Sequence, residues 1–103
     1  MVAAGVKTIK TFSDLRFWVY EMLCEHHELL MNSFPTSETL IKRSGQDACG
    51  VMFCLYGPRA VRITAIWEKE KNRVLFYGPT GKRYHQIELN MLVVSNQDLL
   101  GIN

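Results

Sequence analysis

The chain has 103 residues, 48% hydrophobic and 21% charged, with a formal net charge of +2. That length suits one domain with one core, because a chain of this size hides only about two-thirds of the surface its unfolded form exposes. The small charge names no partner, the three cysteines (Cys24, Cys49, Cys54) are too sparse for a secreted disulfide framework, and no apolar run approaches the roughly 20 residues of a membrane span.

Residues 1–12 show no clear period and are expected to form an arm or a short edge strand. "MVAAGVKTIKTF" also lacks the long apolar centre of a secretory signal, so the sequence predicts a soluble, cytoplasmic protein with reduced thiols and no membrane contact. A helix is expected within "TFSDLRFWVYEMLCEHHELLMNSFP". Ser13 is a suitable N-cap, Asp14 suits a helix N-terminus, and Phe12 and Phe17 have the spacing of a hydrophobic staple. At about 100° per residue, Leu15, Trp18, Val19, Met22, Leu23, Leu29 and Leu30 form one apolar stripe, with His26 near its centre. Arg16, Tyr20, Glu21, Cys24, His27 and Glu28 lie elsewhere. Asn32, Ser33 and the Phe34-Pro35 pair should stop the helix, because a residue before proline is pushed out of the helical region.

"TSETLIKRSGQD" is polar, contains Gly45 and reads as a connection with room for a short helical turn. An apolar run over 49–56, broken by Gly57-Pro58, is followed by "AVRITAIWEKE", the turn "KEKNR", "VLFY", the turn "GPTGK" and "RYHQIEL". Four β-rich segments joined by short turn signals describe an antiparallel meander. The tail "MLVVSNQDLLGIN" is expected to add a fifth strand and a short helix. The predicted fold is α+β, one long N-terminal amphipathic helix on a four- to five-stranded antiparallel meander sheet.

Alternation assigns strand residues to faces. Val61, Ile63, Ala65 and Trp67 share one face with Val51, Phe53, Leu55, Val74 and Phe76. Arg62, Thr64, Ile66 and Glu68 share the other with Met52, Cys54, Tyr56, Leu75 and Tyr77. Both faces are substantially apolar, and one helix of about 18 residues, roughly 27 Å long, covers only one of them. The second face needs a cover: the tail through Leu92, Val94, Leu99 and Leu100, a second copy of the chain, or a different partner. A homodimer through that face or an edge strand is the expectation, since closed two-fold assemblies are the commonest oligomers. Met52, Tyr56, Arg62, Ile66, Leu75 and Tyr77 are its expected contacts.

Charge is unevenly spread. Residues 14–38 hold five acidic side chains against Arg16, and residues 59–85 hold seven basic ones against Glu68 and Glu70, so the acidic helix is expected to steer one copy onto the basic strands of another. A basic outer face expected to carry Tyr56, Tyr77, Arg62 and Tyr84 makes single-stranded nucleic acid the competing partner, although no RNP-type signature is present.

Catalysis and metal binding find little support. His26 is expected as a buried neutral imidazole, His27 as solvated, and His85 has no carboxylate at a telling spacing. "CEHH" and "CGVMFC" lack the spacing of structural zinc sites, and no base is placed beside a thiol, so all three cysteines read as small core residues. "YGPTGKR" departs from the phosphate-loop spacing and joins two strands, which makes it a hairpin turn. No cofactor, metal or enzymatic activity is expected.

Overall fold

In a computed structural model, residues 4–42 and 47–102 are described. They form β1 (Ala4–Thr8), α1 (Phe12–His26), β2 (Thr36–Lys42), β3 (Ala48–Tyr56), β4 (Arg62–Glu68), β5 (Arg73–Tyr77) and β6 (Arg83–Asn90). The strands make one six-stranded sheet in the order β1-β6-β5-β4-β3-β2. β2 to β6 are an antiparallel meander, and β1 lies parallel to β6 with Val6 opposite Glu88. The α+β class and the N-terminal helix agree with expectation. The sheet is wider than expected, and it is mixed.

One expected alternative and one correction account for the extra width. The N-terminal segment, expected as an arm or a short edge strand, forms the edge strand β1, and "TSETLIK", expected as a connection, is the edge strand β2. Residues 43–46, which complete that expected connection, lie outside the described residues. β2 looks polar because the position opposite Phe53 on its helix-facing side is Glu38. The Arg16 guanidinium holds that carboxylate with two hydrogen bonds, Nε to Oε2 at 2.7 Å and Nη2 to Oε1 at 2.8 Å, and the Tyr20 hydroxyl donates to it at 3.1 Å. A carboxylate engaged by three donors tolerates partial burial that an unpaired one does not.

α1 begins two residues earlier and stops sooner than expected. Its N-cap is Thr11, whose hydroxyl accepts from the Asp14 N–H at 3.1 Å, so Ser13 is already helical. At the other end the Leu29 N–H reaches the Cys24 carbonyl at 2.7 Å and the Glu28 N–H the Glu25 carbonyl at 3.3 Å, while Glu28 takes φ 55°. This is the Schellman geometry, with glutamate where glycine is usual. Leu30 therefore leaves the stripe and is 75% exposed, while Cys24 is buried in the core.

The core lies between α1 and one sheet face. Leu15, Val19 and Leu23 pack with Val51, Phe53 and Leu55 of β3, Ile63, Ala65 and Trp67 of β4, and Val74 and Phe76 of β5. These are the faces that alternation assigned. Aromatic edges fix the helix on the sheet: Tyr20 meets Phe53 at 5.7 Å between ring centroids and Trp18 meets Phe76 at 5.7 Å. Each such buried side chain stabilises by about 1.5–3 kcal/mol. In the turn between β4 and β5, Asn72 at φ 46° accepts from Trp67 Nε1 at 3.0 Å, and its carbonyl accepts from the Leu89 N–H at 2.8 Å.

The segment after β6 is neither a strand nor a helix. It runs as coil and turns, placing Leu92 and Leu99 in the helix-side core with Val94 and Ile102 against it. Gly50 is required where it stands, since a Cβ there would collide with the Trp67 carbonyl oxygen on the neighbouring strand. Backbone cannot yield as a flexible side chain does. Gly50→Ala is expected to destabilise the fold by about 2 kcal/mol, read as a lowered urea midpoint with unchanged m-value.

Candidate functional site

The register of the sheet collects the six expected contact residues on its outer face, the one turned away from α1. One row across the strands reads Thr39, Met52, Ile66, Leu75, Gln86; the next reads Ser37, Cys54, Thr64, Tyr77, and Tyr56 stands opposite Arg62 beyond it. On the other side of the apolar row lies a charged one, where Arg73 Nε donates to Glu68 Oε1 at 2.5 Å.

Two hollows open on this face. One, of about 460 Å³, is lined by Met52, Arg62, Thr64, Ile66 and Tyr77 with the loops after β3 and β5. The other, of about 480 Å³, is lined by Ile41, Ile66, Leu75, Tyr77 and Arg83 among others. Ile66 and Tyr77 border both hollows and so form the ridge between them. Leu75 is only 4% exposed, sunk between its neighbours, while Met52, Ile66 and Tyr77 are half-buried and Tyr56 and Arg62 are exposed. Leu75 is therefore a floor residue, in contrast to the surface contact expected. Among the described residues, none from 91–102 lines either hollow.

The loop between β3 and β4 borders the first hollow and holds two adjacent non-glycine residues in the left-handed region, Arg59 at φ 60° and Ala60 at φ 59°. The Gly57 N–H donates to the Val61 carbonyl at 2.7 Å across this turn. Arg83 lies over the Tyr77 ring at 5.8 Å. The acidic helix sits on the opposite side of the sheet from Arg62, Arg73 and Arg83, so it does not meet them when two outer faces approach. Charge steering by the helix is thus set aside for a face-to-face pairing.

The histidines depart from expectation. His26 is exposed, because α1 ends there, and its ring stacks on Tyr84 with centroids 4.0 Å apart and planes at 18°. Tyr84, expected beside the outer tyrosines, turns to the helix side at the register shift between Phe76 and Tyr77. Its hydroxyl is buried without a hydrogen-bond partner among the described residues, and burial pushes its pKa up to about 12. His27 Nδ1 lies 3.0 Å from the Leu23 carbonyl, and a small hollow of about 150 Å³ is lined by Met22, His26, Phe76, Tyr84 and His85.

Cys24 and Cys54 are buried and Cys49 is half-buried, its thiol donating to the Ile41 carbonyl at 3.2 Å. Burial raises the Cys24 pKa, which keeps that thiol protonated. Among the described residues no group of three or more His, Cys, Asp or Glu side chains is placed to hold a metal ion, and no helix is long and apolar enough to cross a membrane.

Sequence reasoning missed the polar cluster Arg16, Tyr20 and Glu38. Its hydrogen bond to Glu38 raises the Arg16 pKa, and burial followed by the Glu38 charge raises that of Tyr20. The available signal was Arg16, the lone cation in an acidic stretch; its partner could not be found while β2 read as a connection. No protein-family model, curated protein or solved structure matches this chain.

His26 supplies a pH dependence. Lost water first, then the neighbouring His27 and His85, hold its pKa below the ordinary 6.5. The unfolded chain takes up that proton at higher pH than the folded one, so this contribution to stability is complete above pH 6.5 and is lost as pH falls below it. Urea midpoints should decline from pH 7.5 to 5.5, and His26→Gln should make the decline smaller. Identical declines in the two proteins would exclude His26 as a source.

Proposed function

We propose that this chain is a non-catalytic, cytoplasmic interaction module that forms a homodimer through the outer face of its sheet. The observation that carries the reading is the shape of that face: a ridge of Ile66 and Tyr77 between two hollows. A two-fold interface must complement itself, and a ridge beside a hollow satisfies this condition, because each copy's ridge enters the other's hollow. The apolar row of Met52, Ile66 and Leu75 would then form the dry centre, with Tyr56, Arg62 and Arg83 at the wet rim. Tyr77 on the ridge with Arg83 beside it suits the middle of such a face, since tyrosine and arginine are enriched among the residues that carry binding energy.

A second reading rests on Tyr77 with Arg83 and Tyr56 with Arg62, two pairings of ring and cation on one exposed face. Single-stranded nucleic acid stacks on such platforms. With Tyr84 turned inward the platform has two rings, and its centre is the apolar row, so the dimer is the better account of the same residues. A salt-sensitive mobility shift with single-stranded oligonucleotides, lost on neutralising Arg62 or Arg83, would favour this second reading.

Ile66→Lys places a charge at the centre of the proposed interface while leaving the helix-side core untouched. It is expected to weaken dimerisation by about 100-fold or more, with an unchanged circular dichroism spectrum. Sedimentation velocity at matched concentrations reads the effect. Equal sedimentation coefficients for the variant and the parent would contradict this interface.

A further inference from the structure

The three histidines of the chain come together where the end of α1 meets the start of β6. His26 and His27 close the helix with their ring centroids 5.0 Å apart, and His85 lies on β6 with its ring 5.8 Å from that of Phe76. Two features of the sequence bring the side chains to one place. Met22 and His26 are four residues apart in α1, so they leave the same face of the helix. On β6 the register passes from Phe76 opposite His85 to Tyr77 opposite Arg83, which leaves Tyr84 as an extra residue in the strand. A bulge of this kind re-aims side chains, and here Tyr84 and His85 both turn to the helix instead of alternating.

The result is the hollow of about 150 Å³ lined by Met22, His26, Phe76, Tyr84 and His85. Its lining carries one thioether and two imidazoles, with neither carboxylate nor thiol. Tyr84 stacks on the face of His26 with planes at 18°, which sets the plane of that imidazole and leaves the nitrogens at its edge free for another bond. His27 is engaged differently. Its Nδ1 lies 3.0 Å from the Leu23 carbonyl and it does not line the hollow, so the third ligand-type side chain there is Met22. The Tyr84 hydroxyl is buried without a partner among the described residues, and a bound ion or water nearby is one source of such a group.

We infer that Met22, His26 and His85 form a binding site for monovalent copper. The donor types select the ion. Thioether and imidazole suit Cu(I), whereas magnesium, calcium and manganese take the carboxylate and carbonyl oxygens that this lining lacks. Zinc closes its structural sites with four ligands, mostly thiolate and imidazole, and the two histidines supply only half of them. Cu(I), with a filled d shell, accepts three. The rings of Phe76 and Tyr84 complete the wall, and aromatic faces attract cations. The site lies on the helix side of the sheet, so it stands independent of the dimer face.

The test uses the full chain carrying Cys49→Ser, because that half-buried thiol competes for the same ion while Cys24 and Cys54 are buried. Equilibrium dialysis against Cu(I), kept reduced with ascorbate under nitrogen, should show one equivalent retained. Met22→Leu and His85→Gln should each weaken retention by about tenfold or more, at least the effect of losing an outer partner of a metal ligand. Both replace a half-buried side chain by one of similar size, and circular dichroism checks the fold. X-ray absorption of the copper-loaded chain should show sulfur and nitrogen neighbours, with the sulfur lost in Met22→Leu. Adding Ile66→Lys should leave retention unchanged, so a failure of the dimer reading is told apart from a failure here. No copper retained up to about 100 µM, a range weaker than ordinary specific binding, would overturn the proposal. So would retention indifferent to Met22→Leu and His85→Gln, or a sulfur neighbour that persists in Met22→Leu, which would mark a thiol site. Zn(II) retained by the same residues as tightly as Cu(I) would contradict the assignment of the ion.

Discussion

One helix covering a six-stranded sheet is the constraint on which the rest of this structure depends. α1 has 15 residues and spans about 22 Å, whereas six strands at about 4.8 Å spacing are about as wide, so a rod of one helix's diameter leaves flanks on its own side and nothing on the other. The chain answers part of this with Leu92 and Leu99 from the C-terminal segment, which join Leu15, Val19 and Leu23 in the inner core. Among the described residues the outer face and the inner flank beside β2 remain without cover. The candidate dimer face follows from this shortage.

The two surfaces differ in how their polar groups are held. On the outer face charge is kept to the margins, with Glu68 joined to Arg73 and Arg83 over Tyr77, so the middle row can stay apolar. At the β2 flank a carboxylate stands on the helix-facing side, and Arg16 and Tyr20 hold it from above. That cluster ties the sheet edge to α1 without filling the space between them. That space, a hollow of about 520 Å³, is therefore framed by an ion pair and walled by Phe17, Leu30 and Phe34.

Much of the sheet was legible from alternation. The period of two in "VMFCLY", "RITAIWE" and "VLFY" assigned every inner and outer residue of β3, β4 and β5 correctly, because buried strands cannot shift by one residue without exchanging faces. The edges were less legible. A short edge strand was one of two readings of the N-terminal segment, but its parallel pairing with β6, distant in sequence, was not foreseen, and β2 carries Glu38 where a hydrophobic residue would have announced a strand. The helix end was hidden because Glu28 occupies a left-handed position that glycine usually marks. Of the candidate site, the identity of the outer-face residues was readable and their relief was not: that Leu75 is a floor while Ile66 and Tyr77 form a ridge depends on side-chain heights set by neighbouring strands.

The central claim is that the outer face is closed by a second copy. Static light scattering on the unmodified chain, across about 10 to 500 µM, a range that brackets weak and ordinary dimer affinities, tests it most directly. A mass that rises to twice the chain's 11.9 kDa and stays there is the expected result. A mass fixed at 11.9 kDa over the whole range would contradict it.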